Sequence, residues 1–278
     1  MIQIKKWIVI LQIISVAFIF SQEHFNVDWS NNKVYSSTIV KMPLSNDFVH
    51  RRLKVLEEAK EKARINYYRA LRNIRLSDNG ENLYEYFDML GDRKSLLFTL
   101  LDNAKLYRLE YPDINTIKVT YYIDIYGKSD SILNIIMGGT SHYTEELTPY
   151  IGFNFENNFT GIVIDARDEL YSFENKSVIV KPSIFLTIKD TEGNIVFNRY
   201  NVLSEVIQDR GMVRYSYDIN ERIPERVGRN PLQIVAYGTG DEFGSVLVVS
   251  MKDARLILSS TATRNAIKNG KVNVIINN

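Results

Sequence analysis

The chain has no cysteine. That excludes disulfides, thiolate metal sites, a cysteine nucleophile and an acylated N-terminal cysteine. An exported protein of this composition holds its fold by its core alone. Histidine is nearly as scarce: His24, His50 and His142 stand apart and never in HExxH spacing, so no metal is expected. Lysine and arginine total 34 against 33 acidic residues, a net charge of +1. Such a balance creates no global field to gather nucleic acid or an acidic substrate. GxSxG, the phosphate loop and GxGxxG are all missing. The expectation is a non-catalytic protein without cofactors and without a nucleic-acid partner.

What is present begins with a short apolar run. Lys5 and Lys6 precede Trp7 to Phe20, and Ser21 follows. The run has about 14 residues, below the roughly 20 of a spanning helix. It reads as a signal peptide over residues 1–22, with an uncleaved anchor as the alternative because Ile19 is bulky. No later stretch is apolar enough to span a bilayer. Export to the periplasm or to the outer-membrane surface is therefore expected.

Residues 25–42 alternate around Asn31-Asn32 as a β-hairpin does, and Pro43 ends it. Ser45 and Asp47 offer a cap and first-turn charge for a helix reaching Ile74. Its apolar stripe runs Val49, Leu53, Leu56, Ala59 or Lys60, Ala63, Tyr67, Ala70 or Leu71, and Ile74, and Ser77 to Gly80 closes it. One or two short helices are expected between Leu83 and Leu101, broken near Gly91. Two strands follow: Tyr107 to Tyr111, a turn at Pro112-Asp113, then Ile117, Val119, Tyr121, Ile123 and Ile125 on one face. Thr116, Lys118, Thr120, Tyr122 and Asp124 form the wet face.

Residues 23–127 thus read as a helix-on-sheet α+β domain, 128–157 as a connector with a helix at Ser131–Met137, and 158–278 as a β-rich α+β domain. In that last part, strands are expected around Ile162–Ala166, Val178–Ile188, Ile195–Phe197, Leu232–Ala236 and Val246–Val249. Ser250 with Asp253 opens a C-terminal helix, and Val272 to Ile276 forms a last strand.

Three groups of residues are candidates for function. In Ile164-Asp165-Ala166-Arg167-Asp168, strand alternation sends Asp165 and Arg167 the same way, to pair as a structural anchor or to contact a polar ligand. The long helix carries Arg51, Arg52, Lys54, Arg69 and Arg72, which suit an anionic surface or an ordinary solvated face. The 17 tyrosines, with doublets Tyr67-Tyr68 and Tyr121-Tyr122, either fill cores and pair across strands or stack on glycan rings.

Val27-Asp28-Trp29-Ser30-Asn31, then Ala63 to Ile74 with its Arg72-Asn73 pair, then Tyr126-Gly127, resemble exported bacterial envelope proteins. That group includes LPP-type envelope lipoproteins and FlgT-like flagellar assembly proteins. Thr160 to Arg167, Val180 to Ser183 and Arg226-Val227-Gly228 resemble their companion segment. The lipoprotein members carry an acylated cysteine, and this chain does not. The resemblance implies a helix-on-sheet domain before a β-rich one and a structural or protein-binding role in flagellar or envelope assembly. Partners would be other envelope or flagellar proteins, with peptidoglycan or a membrane surface as further possibilities. A periplasmic glycan-binding module is the alternative reading.

Overall fold

The computed structural model describes residues 25–42, 48–77, 80–88, 94–138, 143–152, 158–172, 176–221, 223–242 and 244–277. The expected signal segment, the Ser45 and Asp47 cap, Asp78-Asn79, Gly91, Gly139, His24 and His142 lie outside these residues.

The fold is α+β. Strands β1 (Phe25–Asp28) and β2 (Lys33–Lys41) form the expected hairpin. Helix α1 (Phe48–Asn73) follows, then α2 (Leu83–Asp88), α3 (Lys94–Asp102), β3 (Lys105–Asp113) and β4 (Thr116–Asp124). The strands pair antiparallel in the order β1-β2-β4-β3, and α1 lies across one face. The contact is close because the facing residues are small. Ser36 and Thr38 of β2 are buried, and their hydroxyls donate to the carbonyls of Ala63 and Ala59 on α1 at 3.2 and 3.4 Å. Ile117, Val119, Tyr121 and Ile123 fill the rest of that face.

Two details differ from expectation. Val49 and Leu53 belong to the apolar stripe of α1 yet are 66% and 57% exposed, while Val55 is buried in their place. At 1.5 Å per residue the 26-residue helix is about 39 Å long, whereas a nine-residue strand is about 30 Å. The first turns therefore run past the end of the sheet. The β3–β4 turn sits at Ile114-Asn115, not at Pro112-Asp113, because Asp113 accepts the Asn115 N–H at 2.7 Å. Pro112 is tolerated inside β3 since the strand is at the sheet edge beside a bulge.

Helix α4 (Ile132–Met137), capped by Ser131, buries Ile132 and Leu133 in the core, so the expected connector begins as packed structure. The second half holds β5 (Ile162–Asp165), β6 (Glu169–Tyr171), β7 (Ser177–Ile179), β8 (Thr187–Asp190), β9 (Ile195–Phe197), α5 (Ser204–Arg210), β10 (Arg214–Ser216) and α6 (Pro224–Val227). β11 (Leu232–Val235), β12 (Gly238–Thr239), β13 (Val246–Val249), α7 (Met251–Ser259), α8 (Thr261–Lys268) and β14 (Val272–Ile275) complete it. One sheet is all parallel, β10-β14-β5-β11, and a mixed one runs β12-β13-β8-β9. The expected single C-terminal helix is two, because Ser260 leaves helical geometry (ψ 146°) and caps a second start through the Thr263 N–H.

The halves share one core that runs from Val34 to Ile276. Arg75 and Leu76 accept from the N–H groups of Ile184 and Phe185 at 2.9 and 2.8 Å, and the Tyr215 ring meets Trp29 edge-on at 5.4 Å.

Inside the second half, the Arg226 side chain is 4% exposed. Its guanidinium donates to the carbonyls of Val272, Arg210 and Gly211, joining α6, β14 and the end of α5. Burial lowers its pKa to about 9, so it remains charged at neutral pH. Arg226→Leu is expected to cost about 3 kcal/mol, since three buried acceptors lose a charged donor. An unfolding free energy from urea titration within about 0.5 kcal/mol of the parent would contradict this role.

Candidate functional site

The face of the N-terminal sheet turned away from α1 has a distinct composition. Register places Asp28, Lys33 and Asp124 in one row across the sheet, then Asn26, Tyr35, Tyr122 and Lys105. Ser37, Thr120 and Arg108 form the next row, then Ile39, Lys118 and Glu110. A β-bulge between Leu106 and Arg108 lets Tyr107 join the second row. Its ring lies 5.1 Å from Tyr35 and 6.1 Å from Tyr122, both edge-on, and Tyr35 lies 6.3 Å from Tyr122. Burial, then the neighbouring Tyr107, pushes the Tyr35 phenol above its ordinary pKa. Tyr107 is 57% exposed and Ile39 49%.

Beside the rings is a charge cluster. Asp124 is only 5% exposed and meets Lys33 at 3.2 Å, Lys105 at 3.3 Å and Lys128 at 3.4 Å. Lys105 also meets Asp130 at 2.7 Å, and the Lys33 ammonium sits 5.0 Å from the Tyr122 ring centroid. Burial alone would raise the Asp124 carboxyl. The lysine hydrogen bonds and charges outweigh it and hold the group below the ordinary carboxylate range. Glu110 meets Lys118 at 3.4 Å and Arg108 at 3.6 Å farther along the face. The rings are thus framed by fixed charges.

The expected wet face of β4 holds only in part. Thr120 is buried, bonded to Ser37 across the strands at 2.9 Å, and Asp124 is covered by its lysines. The doublets divide as strand and helix periodicity requires. Tyr67 and Tyr121 enter the core, Tyr122 joins the outer face, and Tyr68 packs edge-on against Tyr84.

Asp165 and Arg167 do come together. Arg167 Nε and Nη2 donate to the two carboxylate oxygens at 2.9 and 2.8 Å, and the Arg167 N–H adds a third bond at 3.2 Å. The Arg167 hydrogen bond is the largest influence on Asp165 and, against partial burial, keeps the carboxyl below its usual pKa. The pair stands at the carboxyl end of the parallel sheet, where ligands often bind. Here the two groups satisfy one another, beside Asp168 with its left-handed φ of 69°. The geometry is that of a strand-end anchor.

The basic residues of α1 are not one patch. Arg51, Arg52 and Lys54 lie on the overhanging first turns, and Arg69 lies about 22 Å farther along. Lys62 pairs with Glu58, and Arg64 pairs with Glu61 and Asp102 between them. Arg72 stacks over Tyr84 at 4.4 Å.

The chain was compared with known families once these sites were located. Residues 161–278 match the family model described as Treponema pallidum Tp0624, second domain. No curated protein matches the chain. The family match covers less than half of the chain and begins one residue before β5. It includes Asp165 and Arg167, whereas the tyrosine-bearing sheet face lies outside it.

Asp124→Asn tests the charge cluster. The three lysines, each partly exposed, relax into water when the carboxylate is lost, so the expected destabilisation is about 1–2 kcal/mol. A lowered folded-state pKa means this stability is full above the ordinary carboxylate value and is lost as pH falls through the folded one. The stabilities of parent and variant should therefore differ at neutral pH and converge as pH falls below the ordinary carboxylate value, and a gap that stays constant into acid would refute the assignment.

Proposed function

We propose that this is a non-catalytic protein of the cell envelope that binds a protein partner through the open face of its N-terminal sheet. The observation that carries the reading is the Tyr35–Tyr107–Tyr122 cluster with Ile39, framed by Asp124, its lysines and the Glu110 group. Tyrosine anchors inside a polar rim are the usual make-up of a protein-binding hot spot.

The carboxyl groups support a binding role over acid–base chemistry. Asp28, Asp113, Asp124, Asp165 and Asp190 are each held below the ordinary carboxylate range. A general acid working near neutral pH needs the opposite shift. A cavity of about 180 Å³ between the halves is lined by Leu76, Ile136, Met137, Phe185 and Ile207 together with Tyr86, Tyr200 and Arg199, the last stacked over Phe185.

The envelope setting rests on the charged-then-apolar run of residues 5–20, and on the resemblance of the hairpin, helix and sheet segments to those of envelope and flagellar assembly proteins. No helix among the described residues is long and apolar enough to cross a membrane. The narrower flagellar role rests on that resemblance alone.

An epitope tag near Asn278 allows the protein to be followed through osmotic release, salt washing and basal-body purification. The parent should stay with a large envelope complex in high salt. The double variant Ile39→Asp, Tyr107→Ala should be released as a free protein while its melting temperature changes little. Loss of a hot-spot residue costs about 2 kcal/mol or more in binding, whereas exposed substitutions alter folding by about 0.5 kcal/mol. A parent that is itself free in the osmotic fraction would refute the proposal.

A further inference from the structure

One end of the N-terminal sheet carries a surface distinct from the tyrosine face. The last row of the sheet is Lys41, Thr116 and Asp113, and the β3–β4 turn beyond it puts Ile114 at its tip, 88% exposed. Ser36 and Thr38 hold Ala63 and Ala59, so α1 runs antiparallel to β2 and its residues before Val55 pass that row. Val49 and Leu53, both largely exposed, lie one helical turn apart on the same stripe as Leu56 and Lys60. The Leu56 carbonyl accepts from the Tyr121 hydroxyl at 3.2 Å, and the Lys60 ammonium donates to the Asp102 carbonyl at 2.9 Å. This flank of the helix therefore faces the β3 side. Tyr111, two residues beyond Leu109 on the helix side of β3, is 53% exposed there.

Charge at this end is mostly positive. From Lys41 to Lys54 the sequence holds Lys41, Arg51, Arg52 and Lys54 against the single acid Asp47, and the turn adds Asp113. Asp113 is engaged within its turn by the Thr116 hydroxyl and the Asn115 N–H. The net charge of the whole chain is only +1, so this excess is local. It does not serve the helix. The first turn of α1 contains no acid, and the dipole at a helix start disfavours the arginines placed there. Lys41, Arg52 and Lys54 are exposed beside the apolar residues.

We propose that this end of the N-terminal sheet docks on a bilayer of anionic lipid. Ile114, Leu53 and Val49 enter the acyl boundary, and Lys41, Arg52 and Lys54 reach the headgroups, the division of labour of interfacial protein surfaces. Ile114 projects from a turn, a shape that a fluid acyl layer accepts and that a rigid partner would have to match with a pocket. The surface is separate from the tyrosine face, so either can fail while the other stands.

The chain has no cysteine, so one polarity-sensitive fluorophore can be placed in the turn at Asn115→Cys, or at the opposite end of the sheet at Asn31→Cys. The full chain is mixed with vesicles of phosphatidylcholine, with or without an equal part of phosphatidylglycerol, carrying brominated acyl chains as quencher. Position 115 should be quenched when phosphatidylglycerol is present and position 31 should not respond. Without phosphatidylglycerol, or with Arg52→Glu and Lys54→Glu together, about tenfold more lipid should be needed. The melting temperature of that double variant should hold or rise, since acids suit a helix start. No quenching at position 115 overturns the proposal. So does quenching that is equal without phosphatidylglycerol, equal in the charge-reversed variant, or equal at position 31. Entry of the apolar run of residues 7–20 by itself would leave the variant equal to the parent.

Discussion

The short extended segment after α1 is the constraint on which the arrangement of the molecule depends. Ile74 to Leu76 is bonded on both edges. Leu83 donates to the Ile74 carbonyl and Leu76 to that of Glu81 on one side, and Ile184 and Phe185 donate to Arg75 and Leu76 on the other. Backbone pairing of this kind has fixed register, so the end of the long helix cannot slide against the strand leading into β8. Tyr215 reinforces the same place. Its buried hydroxyl donates to the Ser183 carbonyl at 2.9 Å and accepts the Ser183 N–H at 3.1 Å, while its ring packs on Trp29 of the hairpin. The N-terminal sheet and the strands of the second half are therefore held on one packed body.

That rigidity has a bearing on function. Tyr35, Tyr107 and Tyr122 stand on strands whose inner face is anchored by α1, and their own contacts restrict each ring. A partner meeting them loses little side-chain freedom, which favours binding per unit of area. The salt bridges around Asp124 do less for stability than their number suggests, because the lysines remain partly in water. Their larger effect is to fix the pattern of charge that this face presents.

Much of the fold was legible where one periodicity dominated. The alternation of Ile117, Val119, Tyr121 and Ile123 put those residues on the covered face, and Asn31-Asn32 marked the first turn, with Asn32 at a left-handed φ of 60°. The buried stripe of α1 was readable from Ala59 onward, but not its first two turns, since periodicity says nothing of how far a sheet extends beneath a helix. The parallel sheet was hidden because its strands are only three or four residues long and their pairing is non-local. For α5 and α6 the helices are shorter than a window that reveals a stripe. Of the candidate site, Tyr122 was visible as an outward residue. Tyr107 joins it only through a bulge, and nothing in local spacing brings in Tyr35 from 87 residues away along the chain.

Photo-crosslinking in the cells that make the protein tests the binding face most directly. A photoreactive phenylalanine analogue at position 107, and separately at position 39, is compared with one at exposed Glu192 in the β8–β9 turn. Binding through the sheet face predicts the same discrete adduct from positions 107 and 39, its loss when Tyr35 and Lys118 are both replaced by alanine, and none from position 192. An adduct from position 192 alone, or equal labelling from all three positions, would contradict it.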